Sequence, residues 1–172
     1  MATVLAARLL SEKKIEKIVL TRPAVEAGEN LGFLPGDLQQ KVDPYLRPLF
    51  DSLHNIFGSE KTNSLIDKGI IEVVPLAFMR GRTLEDSLII LDEAQNTTKA
   101  QMKMFLTRLG ERSKMIVNGD ITQIDLKNSN ESGLIDAINT FSDVDQIMFC
   151  HLTTEDIVRH TLVQKIIEAY KN

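Results

Sequence analysis

The sequence predicts an α/β protein on a mainly parallel sheet, and three observations carry that expectation. Short aliphatic runs such as Ile18-Val19-Leu20 and Leu88-Ile89-Ile90-Leu91 have the uninterrupted apolar character of strands buried on both faces. Between such runs lie segments with apolar residues at helical spacing, so strands and helices alternate along the chain. Two runs end in acidic or polar residues, at Asp92-Glu93 and at Gly119-Asp120, as strands do when their carboxyl ends face a ligand crevice.

Each element follows in order. The Ala-rich opening to about Lys14 reads as a helix, and Ile15 to Thr21 as a strand. From Arg22 to Pro44 three glycines and three prolines predict an ordered loop region. Leu46, Leu49, Phe50, Leu53, Ile56 and Phe57 then mark the buried stripe of a helix. Ile70 to Leu76 makes another strand, and Phe78 to Thr83 a loop carrying Arg80 and Arg82. Asn96-Thr97-Thr98 offers N-caps for a helix that buries Met102, Phe105, Leu106 and Leu109 and ends at Gly110. Met115 to Asn118 is a further strand, and the last helix starts near Thr154, burying Val163, Ile166 and Tyr170 among others.

Composition fits one compact domain with a real core, 43% hydrophobic and 26% charged over 172 residues. No run of membrane-spanning length occurs, and Val4 to Leu10 lacks the order of a signal peptide, so a cytoplasmic protein without membrane contact is expected. The single cysteine, Cys150, lies in the apolar run Ile147-Met148-Phe149-Cys150 and is expected to be a core thiol. His54, His151 and His160 show no metal-ligand spacing. A net charge of −4 creates no global field for nucleic acid, and two Tyr with no Trp give no obvious stacking platform.

The strand Leu88 to Leu91 running into Asp92-Glu93-Ala94-Gln95-Asn96 reads as a Walker B strand. Two carboxylates there can divide the work of a hydrolase. Asp92 would hold Mg²⁺, normally through water, because that ion keeps several waters and takes only one or two carboxylates. Glu93 would orient and deprotonate the attacking water. An isolated Asp-Glu pair could equally cap the following helix, but Gly119-Asp120-Ile121-Thr122-Gln123 places a second polar cluster where a γ-phosphate sensor would sit. An amide such as Gln95 both donates and accepts, which suits relaying nucleotide state, although an ordinary loop hydrogen bond explains it as well. None of the nine glycines is followed by lysine, so the sequence holds no G-x-x-x-x-G-K-[ST] phosphate loop.

The pairing of Asp-Glu-Ala-Gln with Gly-Asp-Ile-Thr-Gln resembles that of superfamily-1-type helicases and their relatives. Longer blocks are more specific: Thr21 to Glu29, Leu31 to Asp37, Lys41 to Pro48, Met79 to Thr83 and Gln101 to Arg108 are similar to the signature blocks of the PhoH-like (phosphate starvation-inducible) family. The resemblance covers about Thr3 to Tyr170. It implies a three-layer, RecA-like P-loop NTPase core that binds and hydrolyses ATP with Mg²⁺ in the service of RNA metabolism. Asp92, Gln95 and Asp120 would contact the nucleotide and its ion, while Glu93 and Gln123 would act in hydrolysis. Arg159, in Asp156-Ile157-Val158-Arg159-His160, resembles an arginine placed to reach phosphate across a subunit interface, implying a ring-like homo-oligomer. A helix-surface ion pair is its alternative. Arg22, the segment 26–37, Arg80 and Arg82 are candidates for RNA or interface contact. For the two guanidiniums of the 78–83 loop, pairing with Glu85 and Asp86 is the competing assignment. An rRNA-processing endoribonuclease is the partner that the resemblance implies.

In the family the phosphate loop and its strand directly precede a helix resembling Ala2 to Ser11. The expectation is therefore an N-terminally truncated core with first strand and phosphate loop absent, Met1 being an internal start, a natural truncation or an artificial boundary. Loss of that strand would open the sheet beside Leu88 to Leu91. ATP hydrolysis is expected of the form that carries the loop. The alternatives for these 172 residues are a non-catalytic module that binds RNA or a nuclease, or a fragment unable to bind ATP.

Overall fold

A computed structural model describes residues 1–23, 38–153, 156 and 161–170. The chain forms two compact units, Met1–Thr140 and Phe141–Asn172. The first contains a four-stranded sheet of β1 (Lys17–Arg22), β2 (Ile71–Pro75), β3 (Ser87–Leu91) and β4 (Lys114–Val117), in the order β2-β1-β3-β4 with every pair parallel. Side chains alternate across a strand, so the apolar runs feed two cores. Ile18, Leu20, Leu88 and Ile90 pack with Ala6 of α1 (Ala2–Ser11) and with Leu46, Leu49 and Leu53 of α2 (Leu38–Phe57). On the opposite face Val19, Ile89 and Leu91 pack with Met102 and Phe105 of α4 (Lys99–Leu106) and Leu134 of α5 (Gly133–Thr140). Helices thus cover both faces of the sheet, giving three layers.

The gap expected beside the 88–91 strand is not present. β3 is paired with β1 on one side and β4 on the other, so the acidic strand end is supported from both directions. Among the described residues the outer positions of the sheet belong to β2 and β4.

Helix boundaries differ from expectation at Pro44, the expected end of a loop, and at Gly110, the expected end of a helix. α2 begins at Leu38 and carries Pro44 and Pro48 inside it. Each proline removes one backbone N–H from the helix. Both are exposed, so water can satisfy the carbonyls they leave free. α4 is fixed at its start by a capping box: the Thr98 hydroxyl accepts from Gln101 N, and the Gln101 side chain accepts from Thr98 N. It ends at Leu106, before Gly110. Gly110 is small for another reason, since a Cβ there would lie 2.6 Å from the Leu84 carbonyl oxygen that its N–H meets at 2.9 Å. Residues 78–83 are not wholly loop, for Leu76–Met79 forms a 3₁₀ turn that buries Leu76 and Met79.

Two helices had no place in the sequence expectation, α3 (Ser59–Asp67) and α5. α3 is polar and buries only Thr62, so it lacks the apolar stripe that marks a helix in sequence. α5 opens on Gly133, whose N–H donates to the Thr97 carbonyl at 2.7 Å. A Cβ at Gly133 would meet Met102 Cβ and the Thr98 carbonyl oxygen, each at 2.6 Å. Gly133→Ala should therefore destabilise the first unit by about 1–3 kcal/mol, because the overlap with backbone outweighs the better helix propensity of alanine. Urea denaturation checks this as a lower midpoint at unchanged slope.

The second unit departs most from expectation. Cys150 is exposed, as is Met148 at 94%, so Cys150 is not the core thiol expected. In α6 (Thr161–Tyr170) Val163 and Ile166 are likewise exposed. Residues 147–150 lie in irregular backbone. No helix among the described residues is long and apolar enough to cross a membrane.

Candidate functional site

The side-chain alternation of the two central strands decides what meets at the carboxyl edge of the sheet. Leu88 and Ile90 face α2, so Asp92, two residues on, faces the same way. Ile18 and Leu20 do so in β1, which puts Arg22 beside Asp92. The ladder extends just past the strand ends, with Asp92 N donating to Thr21 O at 3.0 Å and Asn118 N to Leu91 O at 2.8 Å. Glu93 then turns the chain sharply, with φ 55° and ψ 38°, into the 3₁₀ turn Ala94–Asn96. A left-handed glutamate is uncommon and costs free energy, which the surrounding bonds must offset.

Those bonds form one network. Asp92 accepts from Arg22 Nη2 at 2.9 Å and from Asn118 Nδ2 at 2.9 Å, one on each carboxylate oxygen. Glu93 accepts from Arg22 Nη2 on Oε1 at 3.1 Å and from Gln95 Nε2 on Oε2 at 2.6 Å. Gln95 is fully buried and acts as the hub. Its Nε2 also donates to Gln123 O at 3.1 Å, and its Oε1 accepts from Asp120 N at 3.1 Å. Ser132 Oγ donates to its backbone carbonyl at 2.8 Å. Asp120 in turn accepts from the Thr122 amide and hydroxyl and from Gln123 Nε2, so the Gln123 amide lies on Asp120. Asp92, Glu93, Asn118, Gly119, Asp120 and Gln123 line a polar cleft of about 170 Å³.

The structure thus brings together Asp92, Glu93, Gln95, Asp120, Gln123 and Arg22. It does not bring Arg80 or Arg82 into the cleft lining. Arg80 is exposed on the turn after β2. Arg82 is bidentate on Glu72, at 2.6 and 2.8 Å, while Asp86 pairs with Arg112. Arg159 and the segment 26–37 lie outside the described residues. Sequence reasoning missed Asn118 as the second partner of Asp92. It also placed Arg22 with RNA although its side chain, 17% exposed, faces the carboxylates. The available signal was register: a basic residue ending one inner strand stands next to an acidic residue ending its neighbour.

The Arg82 fork, aided by Lys17 at 2.7 Å, holds the Glu72 carboxyl down at about 2 against an ordinary 4.5. A carboxyl lowered in the folded state contributes stability above its unfolded value and loses it as the pH falls through the folded value. The unfolding free energy of the wild type, from urea denaturation, should therefore exceed that of Glu72→Gln by about 1 kcal/mol at neutral pH. The difference should shrink between pH 4.5 and 2.

Carboxylate and amide oxygens suit a hard divalent ion. Among the described residues no group of three or more His, Cys, Asp or Glu side chains forms a cage for one. A Mg²⁺ ion at Asp92 would have to keep most of its own waters, since that ion takes only one or two carboxylates. The cleft lining carries no cationic side chain, so an anionic ligand there would need positive charge from outside that lining.

A parallel sheet with helices on both faces, with an acidic pair at the carboxyl end of an inner strand, defines an α/β core of the P-loop NTPase type. A family model described as PhoH-like protein matches residues 1–171, and the chain belongs to that family. It is 61% identical over 170 residues to a PhoH-like protein of Bacillus subtilis (strain 168), covering 99% of this chain and 53% of the relative. A PhoH-like protein of Synechocystis is 59% identical over 171 residues, covering 99% and 52%. Protein PhoH of Escherichia coli (strain K12) is 47% identical over 167 residues, covering 96% and 47%. The chain spans about half the length of the curated relatives it matches.

Proposed function

We propose that this chain carries the metal-holding and water-activating part of an ATP hydrolysis site coupled to RNA metabolism. The observation that supports it is the single hydrogen-bonded cleft joining Asp92, Glu93, Gln95, Asp120 and Gln123 at the carboxyl edge of a parallel sheet. Asp92 holds Mg²⁺, mainly through water. When bound, that ion neutralises phosphate charge. Glu93 orients the attacking water and takes its proton on Oε1, the oxygen outside the Gln95 bond. Gln95 joins Glu93 to the backbone of Asp120 and Gln123, so a ligand on the 119–123 loop bears on the general base. The phosphate cradle is supplied by residues other than the cleft lining.

The RNA role rests on family kinship, with exposed Arg80 as a surface candidate. The same reading includes a ring-like homo-oligomer with Arg159 reaching a neighbouring nucleotide, an rRNA-processing endoribonuclease partner and a cytoplasmic setting. The anionic lining favours one further reading, that the 172 residues alone retain no nucleotide. Titration with a fluorescent ATP analogue and Mg²⁺ separates the two. The chain should be compared with a graft in which it replaces the matching 170 residues of the Bacillus subtilis relative. Saturable, Mg²⁺-dependent binding by the graft is the expected result, with weak or no binding by the chain alone. A folded graft that ignores the nucleotide would sink the proposal.

A further inference from the structure

Arg22 is placed oddly for a residue of an ATP site that must attract a cation. It closes β1, and Pro23 after it favours extended backbone there, so the strand geometry persists to its Cα. Its guanidinium faces both acidic side chains at once, with one nitrogen 2.9 Å from Asp92 Oδ2 and 3.1 Å from Glu93 Oε1. A second nitrogen donates to the Tyr45 carbonyl of α2 at 3.2 Å. Among the described residues the Nε group is buried without a partner, so they leave one guanidinium donor unspent in this pose. A pose with an unspent buried donor is easier to leave than one in which every donor is used.

Glu93 has one oxygen on Arg22 and the other on Gln95. Both of its oxygens are thus engaged by donors in this pose. We propose that Arg22 is an internal counter-cation: it holds Asp92 and Glu93 in a resting pose, and a divalent cation and Arg22 occupy these carboxylates in turn. This rests on the reading of Asp92 as the metal-holding residue. Arg22 is then a positioning residue. Charge explains the exchange, since a monovalent guanidinium and a divalent ion cannot both sit on the same oxygens without repulsion.

Binding of Mn²⁺ alone to the 172-residue chain, followed by the paramagnetic signal of the free ion, tests this without any turnover. Arg22→Gln should tighten Mn²⁺ binding about tenfold, because one competing positive charge is removed within contact distance. Arg22→Lys keeps the charge but cannot fork across both carboxylates, and should bind at an intermediate affinity. Asp92→Asn should abolish the gain. A second measurement needs no substitution at Arg22: its Nε–H resonance should shift saturably with Mg²⁺ in the wild type and stay fixed in Asp92→Asn. Unchanged or weaker Mn²⁺ binding by Arg22→Gln, or an Arg22 resonance that ignores Mg²⁺, overturns the inference. If the graft nevertheless binds ATP with Mg²⁺, only the role of Arg22 has failed. If it does not, the ATP reading has failed as well.

Discussion

Glu93→Gln in the grafted protein should lower ATP turnover by about 10²- to 10⁴-fold while leaving nucleotide affinity within about threefold, the pattern of a lost general base. The amide keeps the shape of the carboxylate and can still accept from Gln95 Nε2, which now donates to Glu93 at 2.6 Å. The strained turn at φ 55° is therefore retained, and binding should survive. What is lost is the negative charge and the lone pair that takes the proton from water. A variant that loses affinity and turnover together would instead mark Glu93 as a binding group. Steady-state kinetics alongside the fluorescent titration distinguishes these outcomes.

Gly119→Ala should be the most damaging single-methyl change in the cleft. A Cβ there would lie 2.6 Å from Gln95 Oε1, 2.8 Å from Leu134 Cδ2 and 3.0 Å from Gln95 N. Gln95 is fully buried and cannot retreat without breaking its bonds to Glu93, Asp120 and Gln123. Overpacking of this kind costs about 1–3 kcal/mol, and the displaced amide adds to it. The nearest clash is with the Gln95 side chain, so part of the effect should be non-additive. In a Gln95→Ala background the same substitution should cost about 1 kcal/mol less. Urea denaturation of the four proteins completes the cycle, and additive costs would show that the damage at Gly119 arises elsewhere.

How far sequence could reach is visible in particular residues. The uninterrupted apolar runs of β1 and β3 announced strands covered on both faces, and helices do cover both. Thr98, one of the three N-cap candidates at 96–98, does start α4, and the structure adds Gln101 as its capping-box partner. Long-range consequences were less legible. Pro44 argues for loop when read locally, yet its exposed position lets α2 run through it. Gly110 looked like a helix terminator, whereas its smallness serves a close approach to Leu84 across the fold. The 147–150 run is apolar enough for a core, but apolar character alone does not say what covers it, and Ile147 and Met148 are exposed. In the site, the polar residue types of 92–96 and 119–123 singled out the cleft. That Arg22 caps both carboxylates emerges only from the pairing of β1 with β3, seventy residues away along the chain.

The most direct measurement is the Mg²⁺ dependence of ATP turnover by the graft, with the wild-type segment set against Asp92→Asn. Turnover that saturates with Mg²⁺ in the wild type, and needs far more Mg²⁺ or disappears in Asp92→Asn, is the expected result. A folded graft with no Mg²⁺-dependent turnover, or one indifferent to Asp92, would contradict the assignment of this cleft to nucleotide hydrolysis.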